Sequence, residues 1–142
     1  FAIEANNEAN QGSLLVDGGY FENIYPSKGG ELQTAELDFK NSVFLVKNMN
    51  VSIYDVRFAN TRTVITSLGR DYVKISNCID NGFHRNELKD DVFVCRLNSQ
   101  SIARIDGYSF SNENKIILTS DNKSNIKAIN IRDASGKIYS KP

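Results

Sequence analysis

The chain has 142 residues, with Lys plus Arg and Asp plus Glu both numbering 17, so its formal net charge at neutral pH is zero. That length suits one domain or one piece of a larger protein, and the balanced charge gives no electrostatic reason to expect a nucleic-acid partner. No stretch reaches the ~18 consecutive apolar residues of a membrane helix, so no membrane insertion is expected. A start at Phe1, with no basic segment leading into an apolar run, is expected of an excised fragment or a processed product.

Taken in chain order, period-two alternation predicts short strands at 13–16, 42–46, 51–58, 72–75, 92–97, 102–105, 116–119, 126–131 and 138–139. Helical periodicity is confined to 32–39. Turn chemistry separates the strands, as at Lys28-Gly29-Gly30, Asn48-Met49-Asn50, Leu68-Gly69-Arg70-Asp71 and the polar run 120–125. Asn is abundant, and Pro is confined to Pro26 and Pro142. That mixture suits extended strands joined by Asn, Asp and Gly turns, because Asn tolerates the left-handed region and bonds its own backbone. The two cysteines, Cys78 and Cys95, each lie in an apolar stretch and are expected to be free, buried thiols.

A unit recurs along this all-β chain: an aliphatic residue, Phe five positions later and Asn two after that. The copies are Val16-Asp17-Gly18-Gly19-Tyr20-Phe21-Glu22-Asn23, Ile53-Tyr54-Asp55-Val56-Arg57-Phe58-Ala59-Asn60 and Ile105-Asp106-Gly107-Tyr108-Ser109-Phe110-Ser111-Asn112. A looser copy ends Cys78-Ile79-Asp80-Asn81. Fixed apolar positions with variable spacers are the signature of stacked β-repeats. The expected fold is a right-handed parallel β-helix fragment, with an antiparallel β-sandwich as the alternative. It forms one domain over 1–142, with repeats over about 12–124 and a cap or transition at 125–142. In the β-helix, Phe21, Phe58, Ile79 and Phe110 would form an internal apolar ladder. Asn23, Asn60, Asn81 and Asn112 would stack at a bend, their amides satisfying backbone on the next rung.

Aspartates recur beside this unit. Asp17, Asp55 and Asp106, with Glu22, are the candidate catalytic carboxylates, and Asp80 and Glu113 lie nearby. Two such groups on neighbouring rungs could fall within the roughly 5–10 Å that separates glycosidase carboxylates; the other reading is solvated turn capping. The only histidine, His84, sits with Phe83 and Arg85 in the polar insertion 81–91. Such a loop could stack a sugar on Phe83 and bond its hydroxyls, or it could be a solvated connection. Tyr20, Tyr25, Tyr54 and Tyr108 stand out of phase with the phenylalanines, and their rings are expected to face outward. Outward tyrosines serve as a sugar platform or as a subunit interface. The expected ligand-binding set is therefore Tyr20, Tyr54, Tyr108, Phe83, His84 and Arg85. A lone histidine argues against a zinc site, and no metal or other cofactor is expected.

Units such as 51–60 and 72–78 resemble rungs of the pectate-lyase-like right-handed parallel β-helix superfamily, and within it they are most similar to bacteriophage tailspikes. The resemblance spans about 12–135 and implies a homotrimer on the virion tail, or otherwise outside the cell, that recognises bacterial surface polysaccharide. In some members such segments also cleave the polysaccharide. The Asn-Thr-Asp, Asp-Asp and Gly-His-Gly set of pectin hydrolases is missing here, as is the calcium, lysine and arginine grouping of polysaccharide lyases. The implied function is recognition, with a polysaccharide depolymerase and a structural solenoid or adhesin stalk as alternatives.

Overall fold

The computed structural model describes residues 2–8, 11–22, 42–61, 63–81, 92–111, 116–119 and 125–141. Eleven strands run in chain order: β1 (Ile3–Asn6), β2 (Gly12–Glu22), β3 (Ser42–Lys47), β4 (Met49–Ala59), β5 (Thr63–Ser67), β6 (Tyr72–Asp80), β7 (Val92–Arg96), β8 (Ile102–Phe110), β9 (Ile116–Thr119), β10 (Ile126–Arg132) and β11 (Ile138–Lys141). They build two sheets, one ordered β1-β3-β5-β7-β9 and the other β11-β10-β8-β6-β4-β2. Through β10 the chain alternates between the sheets, and every pairing is parallel except that of β10 with β11. An antiparallel sandwich is excluded by that pairing. The strands at β1 and β5 were not expected from alternation, and the segment of helical periodicity at 32–39 lies outside the described residues.

The strands of the longer sheet are bent, and the bend explains their burial. Gly18, Asp55, Asn77, Gly107 and Asn130 all have positive φ, between 54° and 77°. The register places them side by side on β2, β4, β6, β8 and β10. Gly lacks a Cβ, and Asn and Asp can bond locally, so these are the residue types that enter the left-handed region at least cost. Each such residue interrupts the in–out alternation. On β4, Ile53 and Val56 both point inward, with the outward Tyr54 and the left-handed Asp55 between them. β6, β8 and β10 repeat that break. Each long strand thus has a first arm before the bend and a second arm after it.

Inside, Val16, Ile53, Ile75, Ile105 and Ala128 stack along the first arm. Phe44 and Ile65 of the shorter sheet, which pair on adjacent strands, belong to the same core, and the Phe44 ring meets Phe21 and Phe58 of the second arm at 5.1 and 6.3 Å between centroids. β3 and β5 are buried on both faces, as parallel strands commonly are. Cys78 and Cys95 are free and buried; burial raises the Cys78 thiol to about 11 and pushes Cys95 up as well. Both behave as small hydrophobes rather than nucleophiles.

The expected phenylalanine ladder needs a correction of one residue. Phe21 pairs with Phe58, but Phe58 pairs with Asp80, and Asp80 pairs with Phe110. Ile79 points outward and is 37 % exposed, because a one-residue slip moves a strand residue to the opposite face. The looser copy is properly Ile75-Ser76-Asn77-Cys78-Ile79-Asp80, aligned on its left-handed Asn77.

The expected asparagine ladder is not formed among the described residues; other asparagines bridge successive levels at a different corner. Between β3 and β4, Asn48 Nδ2 donates to the Asn7 carbonyl at 2.9 Å, and the Arg70 amide donates to Asn48 Oδ1 at 3.0 Å. On further levels Asn98 Nδ2 reaches the Gly69 carbonyl at 2.6 Å and Asn125 Nδ2 reaches that of Ser99 at 3.2 Å. Of the four expected asparagines, which follow the second arm, Asn81 aligns with Ser111, whose hydroxyl donates to its Oδ1 at 2.8 Å. Asn60, one place beyond Ala59, is not its equivalent. Asn23 and Asn112 lie outside the described residues.

Candidate functional site

The parallel register turns the outer face of the first arm into columns. One runs Leu15, Ser52, Lys74, Arg104, Lys127, and the next runs Asp17, Tyr54, Ser76, Asp106, Ile129. Successive members are one strand apart, about 4.8 Å. The two columns meet at a groove of about 390 Å³ lined by Lys74, Ser76, Arg104, Asp106, Lys127 and Ile129.

The polar groups here are oriented by their neighbours on adjacent strands. Asn77 Nδ2 donates to Asp55 Oδ1 at 2.5 Å, and Asn130 Nδ2 donates to Asp106 Oδ1 at 3.0 Å. The left-handed asparagines therefore hold the carboxylates at the rim of the bend. Lys74 Nζ lies 5.7 Å from the centroid of the Tyr54 ring, a cation–π contact. A hydrogen bond with Ser52, and after it the charge of Lys74, holds the Tyr54 phenol below its ordinary value. Arg104 and Lys127 form no ion pair with any described residue.

The expected carboxylates are not brought together as an acid–base pair across the groove. Asp17 and Asp106 share a column but stand three strands apart, about 14 Å, beyond the roughly 5–10 Å that glycoside hydrolysis uses. Asp55 neighbours Asp17 on the adjacent strand, at the bend, and is held by Asn77. Glu22 ends the second arm, opposite Ala59. Asp80 is fully buried and takes no part in any surface site. Among the described residues no group of three or more His, Cys, Asp or Glu side chains is placed to hold a metal ion.

The tyrosines divide. Tyr54 lies at the first-arm face, and Tyr20 is 58 % exposed on the second arm, in a column with Arg57, Ile79, Ser109 and Arg132. Tyr108 was expected outward, and that expectation is wrong: its side chain is fully buried. The reason is its phase, since Tyr108 stands two residues before Phe110 on the same arm and shares its face. Phe83, His84, Arg85, Tyr25 and Glu113 lie outside the described residues.

The cations Lys74, Arg104 and Lys127 were missed by sequence reasoning. Their signal was present: each directly precedes an inward aliphatic residue (Ile75, Ile105, Ala128) in a unit aligned on its left-handed residue. Alignment on the trailing asparagine hid it. The chain matches no family model, no curated protein and no solved structure.

Proposed function

We propose that this chain is a segment of a right-handed parallel β-helix that recognises a bacterial surface polysaccharide on the outer face of its longer sheet. Alternation of the chain between two parallel sheets, with a left-handed bend repeated at one place on five strands, supports the β-helical reading. The observation that carries the function is the groove between the two outer columns. It sets cations, a carboxylate and a hydroxyl at one-strand intervals along the stacking direction, with the Tyr54 ring beside it against Lys74, a spacing that suits a repeating polymer better than a compact metabolite.

Recognition is favoured over cleavage because Asp17 and Asp106 are too far apart to share one glycosidic bond, and Asp55, which neighbours Asp17, is tied to Asn77 at the bend and does not line the groove. In the parent protein, the segment would belong to a trimeric tailspike or receptor-binding protein on the virion surface. The exposed Tyr20 and Ile79 of the second arm are the surface offered to neighbouring subunits. The test is incubation with capsular and O-antigen polysaccharides. A saturable isotherm without new reducing ends or unsaturated products supports recognition; such products make the protein a depolymerase. Light scattering that gives a trimer supports the tailspike assembly, and a stable monomer removes it.

A further inference from the structure

We infer that the first-arm groove takes an acidic glycan, laid along the stacking direction with its anionic substituents over Lys74, Arg104 and Lys127. The inference rests on the recognition reading and names its ligand class. The three cations occupy directly opposed positions on consecutive parallel strands. Like charges so placed destabilise a sheet. Arg104 and Lys127 have no ion-pair partner among the described residues, and Lys74 leans on the Tyr54 ring. An anion spanning the column relieves that repulsion. The strand spacing of about 4.8 Å is close to the rise of one sugar residue in an extended glycan, so charges borne on successive sugars meet successive strands.

A glycan fits better than a nucleic acid for two reasons. The adjacent column brings Ser76 and Asp106 to the groove, acceptors for the several hydroxyls that each sugar of a glycan presents and that a DNA phosphodiester backbone lacks. The chain as a whole is also electrically neutral and supplies no field to attract a polynucleotide.

The experiment compares binding of alginate, hyaluronate and polysialate with binding of their carboxyl-reduced neutral forms and of oligothymidylate, at low and high salt. The variants are R104Q/K127Q and, as a charge-matched control on the second arm, R57Q/R132Q. All four positions are exposed, and thermal unfolding verifies the fold of each variant. The expected result is binding of at least one acidic glycan that weakens with salt and is lost on carboxyl reduction. R104Q/K127Q should lower that affinity about tenfold or more, while R57Q/R132Q stays within about twofold of the parent. Equal binding of the reduced polymers, or of neutral O-antigen alone, overturns the acidic-ligand inference and leaves polysaccharide recognition standing. Tighter binding of oligothymidylate overturns it in favour of a nucleic acid. Equal losses in the two double variants overturn the placement at this groove. Binding to no acidic or neutral glycan, O-antigen included, overturns both the inference and the recognition reading.

Discussion

The phenol of Tyr108 donates a hydrogen bond of 2.8 Å to the carboxylate of Asp80, and both side chains are fully buried. Asp80 occupies the place that Phe21, Phe58 and Phe110 hold on the other levels. Its side chain is much smaller than phenylalanine. The Tyr108 ring fills the difference, stacking on Phe58 with centroids 6.5 Å apart and planes 11° apart, and packing 4.7 Å from Phe110. One residue thus completes the aromatic column and supplies a donor to the acid that interrupts it.

Tyr108→Phe keeps the ring and removes the donor. The buried carboxylate then loses a charge-assisted hydrogen bond, which costs about 1.5–3 kcal/mol. The double variant Asp80→Leu/Tyr108→Phe removes both polar groups, and its loss should be smaller than the sum of the two single losses. Urea unfolding of the parent, both single variants and the double variant measures the coupling. Additive effects would show that the two groups act independently.

The same pair sets an alkaline limit on stability. Burial, followed by the charge and hydrogen bond of Asp80, pushes the Tyr108 phenol well above its ordinary 10.0. The folded state therefore holds this proton more tightly than the unfolded chain. The contribution is fully present below the ordinary tyrosine value and is lost as pH rises from there through the folded value. Unfolding free energy should fall above about pH 10, and Tyr108→Phe should flatten that part of the profile. In an absorbance titration of the native protein, Tyr54, whose phenol is shifted down, should ionise before Tyr108.

At the bend, the left-handed conformation selects the residue. Asn77 has φ of 54°, and its amide also holds Asp55. Asn77→Val places a β-branched side chain where L-residues are strained by about 1–2 kcal/mol, and it removes that hydrogen bond. Asn77→Gly loses only the hydrogen bond and should lie within about 1 kcal/mol of the parent. Thermal unfolding of the two variants separates backbone conformation from side-chain bonding. Equal losses would show that the bend imposes no conformational demand.

These residues also show what the sequence made legible. Strand periodicity and recurrence of the unit were visible because the inner face of each arm is filled almost entirely by aliphatic and aromatic residues. The inward phenylalanines Phe21, Phe58 and Phe110 were read correctly. The misreadings of Ile79 and Tyr108 have separate causes. The third unit carries Asp80 at the aromatic position, and an alignment on Asn81 shifts that position onto Ile79. Tyr108 stands two residues from Phe110 and so shares its inward face. A column of Gly, Asp, Asn, Gly and Asn at positions 18, 55, 77, 107 and 130 was the register mark that ties the units together. It was harder to see because those residues are also common in ordinary turns. The groove was illegible for a further reason: its cations come from three separate strands and become neighbours only through the pairing.

A buried acid also fixes the corner between the sheets. One Asp71 carboxylate oxygen accepts from the Met49 amide at 2.8 Å; the other accepts from the Ser67 hydroxyl at 2.6 Å and the Gly69 amide at 3.1 Å. The Asp71 amide donates to the Ser101 hydroxyl at 3.0 Å, so three levels converge on this residue. Asp71→Ala leaves those donors without their acceptor and should cost about 3 kcal/mol or more. Asp71→Asn keeps the shape and one acceptor oxygen but puts an NH2 group where the other oxygen accepts, so it should cost about 1–3 kcal/mol. Denaturant unfolding checks both. A loss below about 0.5 kcal/mol in either would show that water replaces the carboxylate at little cost.

The parallel register has a kinetic consequence. Apart from the antiparallel pair β10–β11, each strand meets a partner only after the chain has travelled through the other sheet, as when Val16 joins Ile53 or Ile75 joins Ile105. Entropy must be surrendered over a long closure before the first bond of a level forms, so folding is slow and its nucleus spans two levels at once. The shortest such circuits, which set Phe44 beside Ile65 and Ile53 beside Ile75, are the natural starting points. Once a pair exists, its free edges serve as templates, and the remaining levels assemble outward from it.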